Sequence, residues 1–133
     1  MVDVCVPIRH DSDVVAARSA GRSVAEQGGF GGTDITMIAT AISELARNIL
    51  KYAHEGEVVV ETVRQDSKTG LLVVARDDGP GIADVGLAMQ DGFSTANSLG
   101  LGLPGTRRMM DEFEIVSSPG HGTIVTVIKW LRG

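Results

Sequence analysis

Apolar and polar positions alternate near both ends of the chain and fall into a helical rhythm between them. Val2 to Ile8 alternates and predicts a short first strand. Asp11 or Ser12 is placed to cap a helix running to about Gln27, with Val14, Val15, Ala17, Arg18 and Val24 giving it a partial apolar face. Gly28 to Gly32 then stops it. No Lys-Ser/Thr pair follows those glycines, so they read as a helix stop rather than a phosphate loop. Thr33 or Asp34 is placed to cap a second helix reaching about Ala53. Its stripe is Ile35, Ile38, Ile42, Leu45 and Ile49. Glu57 to Gln65 and Leu71 to Asp77 predict two strands joined by the polar Asp66-to-Gly70 turn. After Asp77 the pattern breaks at Gly79-Pro80-Gly81. A short helix near Asp84 to Gln90 follows, then two glycine- and serine-bearing stretches. Pro104 opens a helix ending at Asp111 or Glu112. Phe113 to Ser117 and Thr123 to Leu131 close the chain as a hairpin. The order β-α-α-β-β-α-β-β predicts an α/β fold: a mixed, mostly antiparallel sheet with helices on one face.

Composition narrows the functional classes. At 133 residues with 43% apolar content, one domain covering 1–133 with one core is expected. Seventeen acidic against twelve basic residues leave a net charge of −5, so no nucleic-acid partner is expected. No stretch approaches the roughly 20 apolar residues of a membrane helix, so no membrane partner is expected either. Met1 to His10 is too short and too mixed for a signal peptide. The lone Cys5 cannot form an internal disulfide and reads as a small strand residue, which fits a reducing cytoplasm. His10, His54 and His121 are scattered, so neither a structural zinc nor a Cys/His nucleophile is expected. Ser43 and Ser94 have no visible base partner and read as structural or loop serines.

Four segments carry candidate chemistry. Glu44 and Asn48 sit one helical turn apart. At 100° per residue, Asn48 lies roughly 100° and Glu44 roughly 140° from the apolar stripe, so both flank the core beside the small Ala41. Asn48 has a carbonyl for Mg²⁺, and Glu44 can orient or deprotonate an attacking hydroxyl. A solvated helix face, with Glu44 paired to Arg47 or Lys51, explains the same residues. Lys51 is within reach of a phosphate, and Tyr52 of a nucleotide. Asp77 ends a strand before Gly79 and Gly81, where a carboxylate can accept from an adenine amino group; an ordinary Asp-Gly turn is the plain alternative. Asp78 should point the other way. Gly100-x-Gly102-x-x-Gly105 lacks the βαβ context of a dinucleotide fingerprint. It reads better as backbone N–H groups and a helix start that hold phosphates, with hinges for a lid. Gly120-x-Gly122-Thr123 is a hairpin turn, with Thr123 a candidate adenine contact.

Taken together in this order, the segments resemble the GHKL ATPase superfamily, which includes gyrase and the histidine kinases. Glu44-x-x-x-Asn48 with Lys51-Tyr52 resembles its N box. Asp77-x-Gly79-x-Gly81 resembles its first glycine box, Gly100-x-Gly102 its second, and Gly120-x-Gly122-Thr123 its last. Ala41 to Asn48, Asp91-Gly-Phe-Ser-Thr95, Gly102-Leu-Pro-Gly105 and Ile128 to Arg132 look like the small serine/threonine kinases of bacterial partner-switching pathways, the switch kinases of the stressosome. The resemblance implies a two-layer Bergerat ATP-binding sandwich with ATP and Mg²⁺ as cofactors. It also implies transfer of the γ-phosphate to Ser or Thr of STAS-domain scaffold or antagonist proteins, and activation of a metal-dependent serine phosphatase by binding. Glu44 would be the general base and Asn48 the Mg²⁺ ligand. Lys51, Tyr52, Asp77, Gly79, Gly81, Ile82, Gly100, Leu101, Gly102, Leu103 and Thr123 would surround the nucleotide, with residues 82–103 as a short lid. An anti-sigma-factor kinase that binds a sigma factor directly, and a non-catalytic nucleotide-gated binding module, are the alternatives.

Overall fold

The structure is a computed structural model and describes residues 2–82 and 102–132. The expected helix near Asp84 to Gln90, the Asp91–Thr95 and Ser98–Gly100 stretches, Leu101 and almost all of the expected lid lie outside the described residues. Five strands, β1 (Val2–Ile8), β2 (Gly56–Gln65), β3 (Lys68–Asp77), β4 (Glu112–Ser117) and β5 (Thr123–Trp130), form one sheet in the order β1-β2-β3-β5-β4. Every pairing among them is antiparallel. Helices α1 (Asp11–Gln27), α2 (Gly32–Asn48) and α3 (Leu103–Met109) accompany the sheet. No helix among the described residues is long and apolar enough to cross a membrane.

Strand alternation decides which side chains enter the core. Val58, Val60, Leu71, Val73, Val125 and Val127 are buried and meet Ile38, Ile42 and Leu45 of α2. Each such side chain contributes on the order of 1.5–3 kcal/mol by leaving water. On the opposite face the cross-strand pair Val116 and Ile124 stays exposed.

Three local expectations need correction. The first concerns α1, which buries Val14, Ala17, Gly21 and Ala25 and leaves Val15 52% exposed. A Cβ on Gly21 would lie 2.1 Å from Ile42 Cδ1, so small residues let α1 and α2 approach closely. An apolar-residue count misses a stripe whose members are small. The cap also differs: Asp13 reaches back from inside the helix to accept from the Arg9 and His10 N–H groups, at 2.8 and 2.9 Å. The second concerns the β2–β3 turn, which is only Asp66-Ser67, both at positive φ. Gly70 therefore lies inside β3, where the Trp130 ring occupies the space a side chain would need. The third concerns α3, which ends at Met109 rather than at Asp111 or Glu112. Asp111 is taken up by the sheet end: its N–H donates to Ile128 O, and its carboxylate accepts from Trp130 N–H and Arg132.

Candidate functional site

Helix α2 begins at Gly32 and keeps α-helical geometry only to Asn48. Ile49–Ala53 then forms one π-helical turn, closed by His54 at φ 72°. The predicted single helix to Ala53 thus changes hand-hold at Asn48, and a widened turn of this kind re-aims every side chain after it. Glu44 and Asn48 both lie in the regular part, half-buried beside the fully buried Ala41 and Leu45. Glu44 Oε1 sits 3.3 Å from the exposed Arg47 guanidinium, the plain pairing considered above. Its other oxygen faces Gly102. A Cβ on Gly102 would lie 2.3 Å from Glu44 Oε2, and Gly102 caps α3 at φ 62°. A glycine is what allows the carboxylate and the start of α3 to meet.

Asn48 Oδ1 and the Tyr52 hydroxyl are buried oxygens with no hydrogen bond of their own, although Asn48 as a residue has a partner elsewhere. Lys51 is exposed, with Nζ 5.4 Å from the centre of the Tyr52 ring. The Asn48 amide oxygen, one helical turn from the half-buried Glu44 carboxylate, is a hard oxygen donor of the kind that suits Mg²⁺, which is normally held by few protein ligands and completed by phosphates and water.

The π turn leads to the second cluster. Gly79 packs on Ala53, where an added Cβ would lie 2.5 Å from the alanine Cβ. Asp77 ends the central strand β3 opposite Gly56 on β2 and Thr123 on β5. It is half-buried while Asp78 is exposed. Asp77 Oδ1 accepts from Gly79 N–H at 2.9 Å. Burial pushes the Asp77 carboxyl up; the backbone N–H groups of Gly79 and Thr123 partly offset this, and Asp78 adds to it.

The glycine turn after Asp77 is interlocked with the β4–β5 turn. Gly120 N–H donates to Pro80 O at 2.8 Å. A Cβ on Gly81 would fall 2.1 Å from Ser118 O, and one on Gly122 would fall 2.1 Å from Asp77 O. Ile82 N–H donates to Ser117 Oγ at 2.8 Å, and Ser117 Oγ lies 2.8 Å from Thr123 Oγ1. Ser117 is the residue sequence reasoning missed. Its inward-facing position beside Thr123 in the predicted hairpin was the available signal.

The structure therefore places the predicted residues in two groups, Glu44 against Gly102 with Asn48 one turn further along α2, and Asp77 with Gly79, Gly81 and Thr123 at the end of β3. Ile82 and Leu103 differ from the rest. Leu103 is 2% exposed, so its side chain belongs to the core, and Ile82 packs against that core. Gly100 and Leu101 lie outside the described residues. A separate polar cavity of about 490 Å³ opens between Arg9, Glu55, Glu57, Arg76 and Asp78; it touches Asp77 but reaches neither Glu44 nor Asn48.

Residues 7–129 match the family model for the histidine kinase-like ATPase domain. The chain is 53% identical over 128 residues to the serine/threonine-protein kinase RsbT of Bacillus subtilis, covering 96% of each chain. It is 36% identical over 104 residues to an anti-sigma F factor of Caldanaerobacter subterraneus, covering 74% of this chain and 71% of that one. An anti-sigma F factor of Bacillus cytotoxicus is 30% identical over 105 residues.

Proposed function

The chain belongs to the histidine kinase-like ATPase domain family, and on that premise we propose that it is an ATP-dependent serine/threonine protein kinase of a bacterial partner-switching pathway. Its substrates are STAS-domain scaffold or antagonist proteins. Released from them, it binds and activates a metal-dependent serine phosphatase. The observation that carries the kinase reading is the meeting of Glu44 with Gly102 at the start of α3, one helical turn before Asn48 on α2. That arrangement supports a site where a base, a metal ligand and phosphate-facing backbone adjoin.

In this reading the acceptor hydroxyl oxygen bonds to the γ-phosphorus, and the bond to the β,γ-bridging oxygen breaks, releasing ADP. Glu44 takes the hydroxyl proton. Asn48 presents its carboxamide oxygen to Mg²⁺, which when bound neutralises phosphate charge. Asp77 and Thr123 hold the adenine edge. Lys51 reaches toward the phosphates, and Tyr52 lines the nucleotide. Gly79 and Gly81 let the base pass close to the backbone. The Gly100-x-Gly102 segment would supply backbone N–H groups to the phosphates. Positioning and charge neutralisation carry most of the rate, so loss of Asn48 is more damaging than loss of one backbone contact.

The test is transfer of radiolabelled γ-phosphate from Mg-ATP to a STAS-domain protein encoded beside this one. The wild-type chain labels it; Glu44→Gln lowers the rate by roughly 10²–10⁴-fold, and Asn48→Ala abolishes it. A wild-type rate in Asn48→Ala refutes the assignment. ATP binding without any label favours a nucleotide-gated binding module. Co-purification with a sigma factor favours a sigma-binding kinase, the reading to which the 36% identical anti-sigma F factor lends weight.

A further inference from the structure

Lys129 continues the inward face of β5 after Val125 and Val127, and it is 5% exposed. Taking an ammonium out of water is costly, so its partners must offset that cost. Its Nζ donates to Met109 O, the last residue of α3, at 2.8 Å, and lies 3.6 Å from Met37 Sδ on α2. Asp34 Oδ1, in the first turn of α2, is 3.8 Å away, and Asp111 Oδ1, between α3 and β4, is 4.0 Å away. One buried ammonium thus joins the carboxyl-terminal end of α3 to the amino-terminal half of α2.

The other end of α3 also meets α2, where Gly102 faces Glu44 Oε2. Gly102 and Met109 are seven residues apart, as are Met37 and Glu44, which is about 10.5 Å of helix in each case. Helix α3 therefore lies antiparallel along α2, seated at Glu44 by close contact and at Met37 through Lys129. Between these ends Leu103, Pro104 and Thr106 are buried. Such burial holds a helix against its neighbour but is non-directional, so it resists sliding along that neighbour less. A charge-assisted bond to a carbonyl at the helix end is directional. We infer that Lys129 is a positioning residue that sets where α3 stands along α2 and so holds Gly102 against Glu44. This rests on the proposal that Glu44 is the general base toward the acceptor hydroxyl. A base misplaced by about 1 Å loses up to roughly 10²-fold in rate.

The experiment measures kcat for γ-phosphate transfer to the STAS-domain protein at saturating Mg-ATP, so that nucleotide affinity does not enter. Wild type, Lys129→Met, Glu44→Gln and the double variant are compared at a temperature where circular dichroism shows each fully folded. Lys129→Met lowers kcat roughly 10–100-fold in the wild-type background. In the Glu44→Gln background most of that effect is lost, because the base that Lys129 positions is already gone. An equal fold-loss in both backgrounds shows a role in the fold alone and overturns the inference, as does an unchanged kcat. Amide exchange gives a reading that needs no activity. Thr106 N–H donates to Gly102 O at 3.0 Å and closes the first turn of α3. Lys129→Met lowers its protection about tenfold more than it lowers that of the central strand β3. A fall shared equally by both, or no fall at all, overturns the inference. If Lys129→Met does not fold, Lys129→Gln, which removes the charge and keeps a polar head, is read the same way. A wild type that transfers no phosphate refutes the kinase reading, and exchange at Thr106 then decides the role of Lys129.

Discussion

Gly120 and Gly122 make a controlled pair, because their backbones are alike and their surroundings are not. Both sit at left-handed φ, 80° and 78°. An added Cβ therefore costs the same conformational penalty at each, roughly 1–2 kcal/mol. At Gly120 the new methyl meets open space. At Gly122 it falls 2.1 Å from Asp77 O and 2.9 Å from Asp78 Cα, and both neighbours are backbone that no rotamer change moves aside. Overpacking of this kind adds about 1–3 kcal/mol. Unfolding entropy of roughly 2.1 cal/mol/K per residue gives ~0.28 kcal/mol/K for a chain of 133 residues, so 1 kcal/mol moves Tm by roughly 3.6 °C. Gly120→Ala is then expected to lower Tm by roughly 4–7 °C, and Gly122→Ala by a further 4–11 °C. Thermal unfolding followed by circular dichroism without nucleotide measures both. Calorimetric titration adds the functional half: Gly122→Ala displaces Asp77 and weakens ATP binding, while Gly120→Ala leaves it near wild type. Equal Tm values and equal ATP affinities for the two variants would refute the reasoning that the β4–β5 turn seats the Asp77 strand end.

Two further expectations follow from charged groups. Asp77 has a folded pKa raised above its unfolded value, so its ionised form opposes folding once the pH is above the folded pKa, and that penalty is relieved as pH falls through it. Asp77→Asn is accordingly expected to be at least as stable as wild type at neutral pH without nucleotide, the difference closing in acid, while losing ATP binding; a large drop in neutral-pH Tm would contradict this. Lys129 is buried, donates to Met109 O at 2.8 Å, and lies 3.8 Å from Asp34 and 4.0 Å from Asp111. Lys129→Met keeps the volume but removes the cation from two carboxylates. Asp111 retains Arg132, so the expected loss is about 2 kcal/mol, seen as a Tm roughly 7 °C lower; an unchanged Tm would show the buried ammonium to be dispensable.

The elements and the sheet face were legible because periodicity is local. The Ile35-to-Ile49 stripe marked α2, and alternation in Glu57–Gln65 and Leu71–Asp77 marked a hairpin whose inner residues are the observed core. Elsewhere the packing signal is not apolar bulk. Gly21 and Ala25 form a packing face by being small, and Val15, read as apolar face, points to water. The Asp66-Ser67 turn is tighter than its polar flank suggests, because Lys68, Thr69 and Gly70 pair with Gln65, Arg64 and Val63 and so belong to the ladder.

The sequence by itself determined which residues have useful chemistry: a carboxylate and an amide one helical turn apart, an aspartate at a strand end, and glycines at chosen spacings. These follow from side-chain identity and from the 3.6- and 2-residue periods. Only the tertiary structure decided how they meet. The π turn after Asn48, the seating of Glu44 against Gly102 and the interlock of the two glycine turns through Ser117 join segments distant along the chain. Backbone contacts without a Cβ are properties of neighbours in space. No spacing within one segment encodes them.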